Sequence, residues 1–358
     1  MAVTEFQRSL TEGSCIFLVF LPCIDFILTF LGCIRAGLVA VPVYPPSMNI
    51  ISLTSSQPDP KEIKKNVQLF SGIQQNCQAK VALCDKFPFR FSLHCSEYMK
   101  IKRVTDMKAL FTASGVQWPD LEWINLSPIL ETSSLPDVPS DEPALHFAGD
   151  HLCFLQYTSG STSLPKGVMI TIASLVANIH IILRALNADS TAVVASWLPQ
   201  YHDMGLIGSV LSLLYCGGSG VYFSPLAFIL SPILWLQLAS QYRATHLQGP
   251  NFAYALLLRR LATHQPANLD LSSIQHIFDA AEPISVDVVR RFRSVLAPFK
   301  LSPHAITGGY GLAESCVYVC DGGHRALAVD RELLEKDEIE VRGVLEENDA
   351  GRRRGKRE

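Results

Sequence analysis

The sequence predicts an α/β fold built from mostly parallel sheets flanked by helices. Short apolar segments of strand length alternate with longer amphipathic segments along the chain, which is typical of crossover units in parallel sheets. The strand segments are apolar throughout rather than at every second residue, as expected where helices cover both faces of a sheet. Of 358 residues, 48% are hydrophobic and 18% are charged, which excludes an intrinsically disordered chain and allows a large core.

The first predicted crossover unit lies between residues 15 and 43. We predict a strand at 16–21, a helix at 24–36 and a second strand at 38–43. Gly37 stands where the C-cap of a helix favours a residue without a Cβ atom. The stretch is apolar enough to be considered as a membrane span, but it contains Pro22 and Asp25, and a charge inside a span is costly. We therefore predict no membrane span.

The same alternation continues to about residue 296. Asp59, Pro60 and Glu62 supply an N-cap, an N1 proline and an acidic N3 residue for a helix that begins there. The further predicted strands are 80–84, 153–156, 192–197, 220–223, 245–247 and 274–278. The further predicted helices are 175–186, 206–214, 232–241, 251–262 and 286–296. Between residues 87 and 146 the pattern weakens, and prolines indicate loops.

Charge and cysteine content narrow the class of protein. The formal net charge is −3, so the chain as a whole predicts no nucleic-acid partner. Its ten cysteines form no CxxC pair and no zinc-ligand spacing, and we interpret them as reduced core residues of a cytoplasmic protein.

Polar chemistry is concentrated directly after the strand predicted at 153–156, where residues 155–168 read LQYTSGSTSLPKGV. The residues that supply hydroxyl groups are Thr158, Ser159, Ser161 and Thr162. Gly160 lets a ligand approach the backbone and Lys166 adds a positive charge on a flexible loop, a combination that suits a polyphosphate. The order differs from that of the P-loop, because Lys166 follows a proline and precedes Gly167. The alternative interpretation is a solvated turn rich in serine and threonine.

Six blocks of sequence resemble the adenylate-forming (AMP-binding) enzymes, and most of all the fatty acyl-AMP ligases. The blocks are residues 31–46, the loop at 155–168, WLPQYHDMGL at 197–206, QGPNFAY at 248–254, AAEP at 280–283 and GYGLAES at 309–315. The resemblance covers about residues 15–340. It implies that residues 1–340 form an incomplete N-terminal lobe of such an enzyme and that residues 341–358 are a charged, disordered tail. The small C-terminal domain of the family, which carries its catalytic lysine, is expected to be missing.

The resemblance also implies a reaction in which a fatty carboxylate attacks the α-phosphate of Mg-ATP, giving acyl-AMP and pyrophosphate. The residues implied to bind the β- and γ-phosphates are Thr158, Ser159, Gly160, Ser161, Thr162 and Lys166. Those implied to bind the adenine ring are Ala281, Glu282, Pro283, Tyr310 and Gly311. Glu314 and Thr162 are the implied ligands of Mg²⁺, and His202 and Asp203 are placed near the acyl carboxylate. Lys166, Glu314 and His202 are the implied catalytic residues, and an acyl carrier protein or a polyketide synthase is the implied acceptor.

Other interpretations of the same residues remain open. Tyr310 could be a core aromatic residue, Glu314 a surface acid and His202 a structural histidine. Ser163 and Ile172 depart from the family pattern, which more often has glycine and histidine there. Two other functions are compatible with the sequence. One is a module that binds a nucleotide or an acyl group without catalysis, and the other is an acyl-CoA synthetase.

Overall fold

A computed structural model of the protein describes most of the chain as two compact units. The described residues are 10–45, 60–85, 111–113, 115–126, 147–158, 165–264, 266, 268–321 and 325–347. The first unit comprises residues 1–177 and 199–203, and the second comprises residues 178–198 and 204–358. The region that the sequence assigned to a single lobe therefore contains two units.

The first unit is built on a six-stranded sheet. Its elements are β1 (Cys15–Val19), α1 (Ile24–Arg35), β2 (Val39–Val43), α2 (Pro60–Cys77), β3 (Val81–Cys84), β4 (Glu122–Asn125), β5 (Leu152–Thr158) and β6 (Lys166–Thr171). The strand order is β4-β3-β1-β2-β5-β6. Neighbouring strands are parallel except β5 and β6, which pair antiparallel at the edge.

The predicted crossover at the start of the chain is confirmed. Strands β1 and β2 pair in parallel from Cys15↔Val39 to Val19↔Val43, and α1 connects them. Gly37 ends the helix turn with a φ of +69°, a left-handed conformation that glycine adopts without steric cost. The central residues of both strands are buried, as expected for strands that are apolar on both faces.

Two strands of this sheet were not predicted. Strand β4 lies in the region expected to form loops, and its four residues are only half-buried or exposed because it is an edge strand. Strand β6 begins at Lys166, which was expected on a flexible loop, and it pairs with β5 from Thr158↔Lys166 onward. The placement of Lys166 on a flexible loop was therefore wrong, because backbone hydrogen bonds across the β5–β6 pair hold it.

The second unit contains another six-stranded sheet. Its elements are α3 (Ile172–Ala185, within which the unit begins), β7 (Val193–Ser196), a π-helix (Met204–Leu211), α4 (Ser212–Cys216), β8 (Ser219–Tyr222), α5 (Pro225–Leu230), α6 (Ile233–Gln241), β9 (His246–Gly249), α7 (Asn251–Leu261), β10 (His276–Asp279), α8 (Val286–Leu296), β11 (Ile306–Tyr310) and β12 (Cys320–Asp321). The order is β12-β11-β10-β9-β7-β8, and only β12 is antiparallel to its neighbour.

The prediction of a disordered tail is wrong for residues 341–347. Strand β14 (Val341–Glu347) pairs antiparallel with β13 (Arg325–Val329), and α9 (Arg331–Leu334) lies between them. Asp330 caps α9 and also accepts hydrogen bonds from Arg342, so the charged residues of this region contact one another. The rest of the predicted tail, residues 348–358, lies outside the described residues.

Other features refine the expectations from sequence. The helix predicted at 206–214 is a π-helix followed by α4, because an apolar pattern does not separate these two helical forms. None of the nine cysteines among the described residues forms a disulfide bond, and Cys320 is exposed rather than in the core. Among the described residues, no helix combines the length and the apolar character needed to cross a bilayer.

Candidate functional site

The carboxyl ends of four parallel strands meet at one edge of the second sheet. Strands β11, β10, β9 and β7 are neighbours, and β8 continues the sheet on the other side of β7. The strand order therefore reverses at β7, and ligands of open α/β sheets bind at the carboxyl edge near such a reversal. Three of the blocks noted in the sequence, at 248–254, 280–283 and 309–315, begin or end at this edge.

Residues 280–285, which we call the strand-end segment, follow β10 and are held by hydrogen bonds to the first turn of α7. The Glu282 carboxylate accepts a hydrogen bond from the backbone N–H of Phe252 in the first turn of α7. The Asn251 Oδ1 atom accepts from the backbone N–H of Ser285 at 3.3 Å, and Ser285 caps α8. Ala281 has a φ of +72°, which is strained for a residue with a Cβ atom and is typical of functional loops.

Asp279 is the last residue of β10 and is completely buried. Its Oδ2 atom accepts a hydrogen bond of 2.7 Å from Asn251 Nδ2, whereas its Oδ1 atom accepts none from the described residues. Burial, together with the nearby charge of Glu282, raises the pKa of Asp279 to about 7 against the opposing effect of the Asn251 hydrogen bond. The carboxyl group is therefore largely neutral at slightly acidic pH.

The GYGLAES block forms the end of β11 and the turn after it. Tyr310 ends the strand with 60% of its surface exposed, and Glu314 lies exposed in a short 3₁₀ helix. The chain then returns along β11, where the Val319 N–H donates to the Tyr310 carbonyl at 3.1 Å. Asn178 exchanges two hydrogen bonds with the backbone of Tyr318, which fixes the far side of the turn. Tyr310 is thus not a core aromatic residue.

The phosphate-loop block lies in the first unit, on the β5–β6 pair. Thr158 and Lys166 face each other at the end of the ladder, and the Lys166 side chain is exposed. The ring of Tyr157 lies over Gly167, since a Cβ atom at that glycine would come within 2.8 Å of Tyr157 Cζ. Tyr157 also donates a hydrogen bond to Asn76 of α2. The predicted residues Ser159, Gly160, Ser161 and Thr162 lie outside the described residues.

His202 also belongs to the first unit and pairs with Asp203. The His202 Nδ1 and Asp203 Oδ1 atoms are 2.7 Å apart, and the histidine side chain is 53% exposed. Burial lowers the pKa of His202, but the hydrogen bond and charge of Asp203 outweigh it, so the pKa is raised overall. The neighbouring backbone is anchored by a hydrogen bond of 2.8 Å from Gln156 to the Tyr201 carbonyl.

The predicted site residues therefore fall into two groups, one on each unit. Ala281, Glu282, Pro283, Tyr310, Gly311 and Glu314 lie at the carboxyl edge of the second sheet, and Thr158, Lys166 and His202 lie in the first unit. Sequence reasoning missed Asp279 and gave no role to Asn251. The available signal was an acidic residue directly after an apolar strand, where a surface loop would normally begin.

A small cavity in the second unit is lined mainly by apolar side chains. Its volume is about 20 Å³, enough for about one water-sized group. Leu186, Val194 and Leu213 contribute apolar surface, while His246 and Gln248 are polar residues of its lining.

The described residues contain no cluster of three or more histidine, cysteine or acidic side chains that could hold a metal ion. Mg²⁺ in nucleotide sites is usually bound by one or two carboxylates together with phosphates of the substrate. Glu314, exposed four residues after Tyr310, is a carboxylate of this kind.

Comparison with known proteins identifies similar sequences and structures. The family described as AMP-binding enzyme matches residues 6–339. A medium-chain-fatty-acid--[acyl-carrier-protein] ligase, JamA of Moorena producens, is 34% identical over 94% of this chain and 52% of its own length. The long-chain-fatty-acid--AMP ligase FadD26 of Mycobacterium bovis is 31% identical over 83% of this chain and 45% of its own.

The crystal structure of a fatty acyl-adenylate ligase from L. pneumophila, in complex with acyl adenylate and pyrophosphate, is similar in fold. It superposes with a TM-score of 0.75 and 28% identity over 96% of this chain and 54% of that one. The chain spans about half the length of the curated relatives that it matches.

Proposed function

The chain belongs to the family of AMP-binding enzymes, and we propose that it acts in the ATP-dependent activation of a fatty acid to acyl-AMP with release of pyrophosphate. The observation that carries the proposal is the carboxyl edge of the second sheet. There an exposed aromatic ring, Tyr310, and an exposed carboxylate, Glu314, follow one strand. The strand-end segment follows the neighbouring strand, β10.

We assign each exposed side chain the task that its chemistry suits. Tyr310 offers a ring on which adenine can stack, and the backbone of residues 281–283 offers hydrogen-bonding groups to the base. Lys166 offers a cation to the phosphates, with Thr158 beside it. Glu314 would hold Mg²⁺, which neutralises charge on the phosphates when bound.

His202 is assigned to the fatty carboxylate. Asp203 interacts with Nδ1 and favours the charged form of the ring, and a charged imidazole ring suits an anionic group of a substrate. An acyl carrier protein, free or within a polyketide synthase, is the proposed acceptor, supported by the similarity to JamA, an acyl-carrier-protein ligase. The proposed compartment is the cytoplasm, in keeping with the cysteines of the described residues, which form no disulfide bond.

A second candidate is nucleotide binding without turnover. Pyrophosphate release in the presence of ATP and a fatty acid, measured with and without a C-terminal domain from a related ligase, separates the two candidates.

The test of the nucleotide site is Lys166→Ala. Losing one hydrogen bond to a charged group costs about 1.5–3 kcal/mol, so we expect Mg-ATP binding, measured by calorimetry, to weaken roughly 10- to 150-fold. The matched control is Lys80→Ala, which removes another exposed lysine of the first unit and should leave the affinity unchanged. Equal affinity of Lys166→Ala and the parent would contradict the assignment.

A further inference from the structure

Asp279 is connected to the strand-end segment through one side chain. Asn251 donates through Nδ2 to the Asp279 carboxyl group and accepts through Oδ1 from the backbone of Ser285. It thus joins the end of β10 to the end of the segment and to the start of α8. The Ala280 N–H donates to the Gly249 carbonyl at 3.3 Å, so the start of the segment is held by β9.

The segment needs such support because its conformation is unfavourable. Ala281 lies in the left-handed region, and strain of this kind persists only where the surrounding contacts over-determine the backbone. Glu282 at one side and Asn251 at the other provide those contacts. Removing either connection should let the segment relax toward an ordinary backbone conformation.

We propose that Asp279 is a positioning residue of the nucleotide site, an inference that rests on the proposed function. The buried carboxyl group of Asp279 orients Asn251, and Asn251 in turn holds residues 280–285 in the conformation that binds the nucleotide. Asp279 itself is not assigned any contact with the ligand. Its effect reaches the ligand through Asn251 and the strand-end segment.

The carboxyl group performs this role in its neutral form. With Oδ2 occupied by the Asn251 hydrogen bond, the proton belongs on Oδ1, which accepts no hydrogen bond from the described residues. Burial raises the pKa of Asp279 to about 7, so the neutral form is accessible at ordinary pH. Ionisation places an uncompensated negative charge in the interior, which is costly.

Among the described residues, the groups that shift the pKa of Asp279 include no cation. Its strand neighbours in the sheet are Gly249 of β9 and Gly308 of β11, which have no side chains. The nearby carboxylate of Glu282, in the strand-end segment, disfavours a second negative charge. The buried Tyr254 of α7 adds no charge, because burial and Asp279 raise its pKa and keep its hydroxyl group neutral at ordinary pH.

The experiment measures the Kd of Mg-ATP between pH 6.5 and pH 8.5. If only the neutral form is competent, the apparent Kd of the parent rises as the neutral fraction falls, by about 25-fold over this range for a pKa of about 7. Asp279→Asn keeps the shape and an acceptor for Asn251 but cannot ionise, so its Kd should stay close to the pH 6.5 value of the parent at every pH. Asp279→Ala should bind weakly throughout. The control Asp287→Asn removes an exposed carboxylate of α8 and should follow the parent.

Two measurements do not depend on ATP. The melting temperature of the parent should fall relative to that of Asp279→Asn as pH rises from about 4 to above 7. The sign follows because the pKa of Asp279 is higher in the folded protein, about 7, than in the unfolded chain, 3.8. The stabilisation is complete at pH values below the unfolded pKa and is lost as pH rises through the folded pKa. Infrared spectroscopy of the parent should show a protonated carboxyl band that disappears with a midpoint near pH 7.

The outcomes separate the inference from the proposed function. Binding of Mg-ATP with the same pH dependence in the parent and in Asp279→Asn overturns the inference alone. Absence of Mg-ATP binding in the parent at every pH overturns the proposed function and the inference with it. If Asp279→Asn does not fold, the infrared band decides: a carboxyl group that is ionised at pH 5 overturns the inference, and one that is protonated supports it.

Discussion

The β5–β6 pair of the first unit and the carboxyl edge of the second sheet hold their exposed side chains by different means. Lys166 stands at the end of a two-stranded antiparallel ladder at the edge of a sheet, supported by the Tyr157 ring over Gly167. Tyr310 and the strand-end segment instead rise from adjacent parallel strands and are supported by the buried hydrogen bonds of Asp279 and Asn251.

The two regions differ in how strongly a substitution beneath the exposed side chains should change the stability of the protein. In the first unit the support next to Gly167 is one aromatic side chain, whose ring can shift at the cost of its hydrogen bond to Asn76. In the second unit the supports are backbone atoms and buried polar groups, whose displacement leaves hydrogen bonds unmade. We therefore expect substitutions beneath the second region to be more destabilising than those beneath the first.

The largest effect is expected for Gly311→Ala, because its Cβ atom would overlap the backbone carbonyl group of Val317. Neither backbone segment can move without breaking the turn. The free energy of unfolding, measured by denaturant titration, should therefore fall by about 3 kcal/mol or more. Gly343→Ala is the matched control, since its Cβ atom would have no neighbour within 4 Å. A Gly311→Ala protein as stable as Gly343→Ala would show that this turn is not tightly supported.

A smaller loss of stability, about 1–3 kcal/mol, is expected for Gly167→Ala in the first unit. The added methyl group displaces the Tyr157 ring and with it the hydrogen bond to Asn76. In a Tyr157→Ala background the same change should cost little, so a double-mutant cycle isolates the contact. The control Gly32→Ala, inside α1 with open space around its Cβ atom, should be stabilising by about 0.5–1 kcal/mol. If the changes in the free energy of unfolding caused by the two single substitutions add up to that of the double substitution, the contact between Tyr157 and residue 167 is contradicted.

The smallest effect is expected from the pairing of His202 with Asp203. Because Asp203 raises the pKa of His202, the pair stabilises the folded protein below the unfolded pKa of 6.5, and this contribution is lost as pH rises through the folded value. The histidine is half-exposed, so the change should be less than about 0.5 kcal/mol. Thermal unfolding of the parent and of Asp203→Asn between pH 5 and pH 8.5 measures it. Identical pH profiles of the two proteins would show that the pair does not act on stability.

Much of the fold could be predicted because its strands are buried on both faces. The helix at 286–296 was predicted with the observed bounds, and the crossover at the start of the chain was predicted within a few residues. The edge strands were not predicted because they lack the continuous apolar run of a strand that is buried on both faces. The Glu122–Asn125 strand is half-exposed, and the 341–347 strand is rich in charge, so composition alone indicated loops or disorder.

The sequence by itself determined the fold class, the family blocks and the residue types offered to a nucleotide, because these follow from local patterns of hydrophobic and polar residues. Tertiary structure decided which of those residues are exposed, since exposure depends on strands distant in sequence. It also decided that Asp279, separated from Asn251 by 28 positions, is buried against it. Its raised pKa follows first from that burial, which strands distant in sequence produce, and then from Glu282, three residues later in the chain.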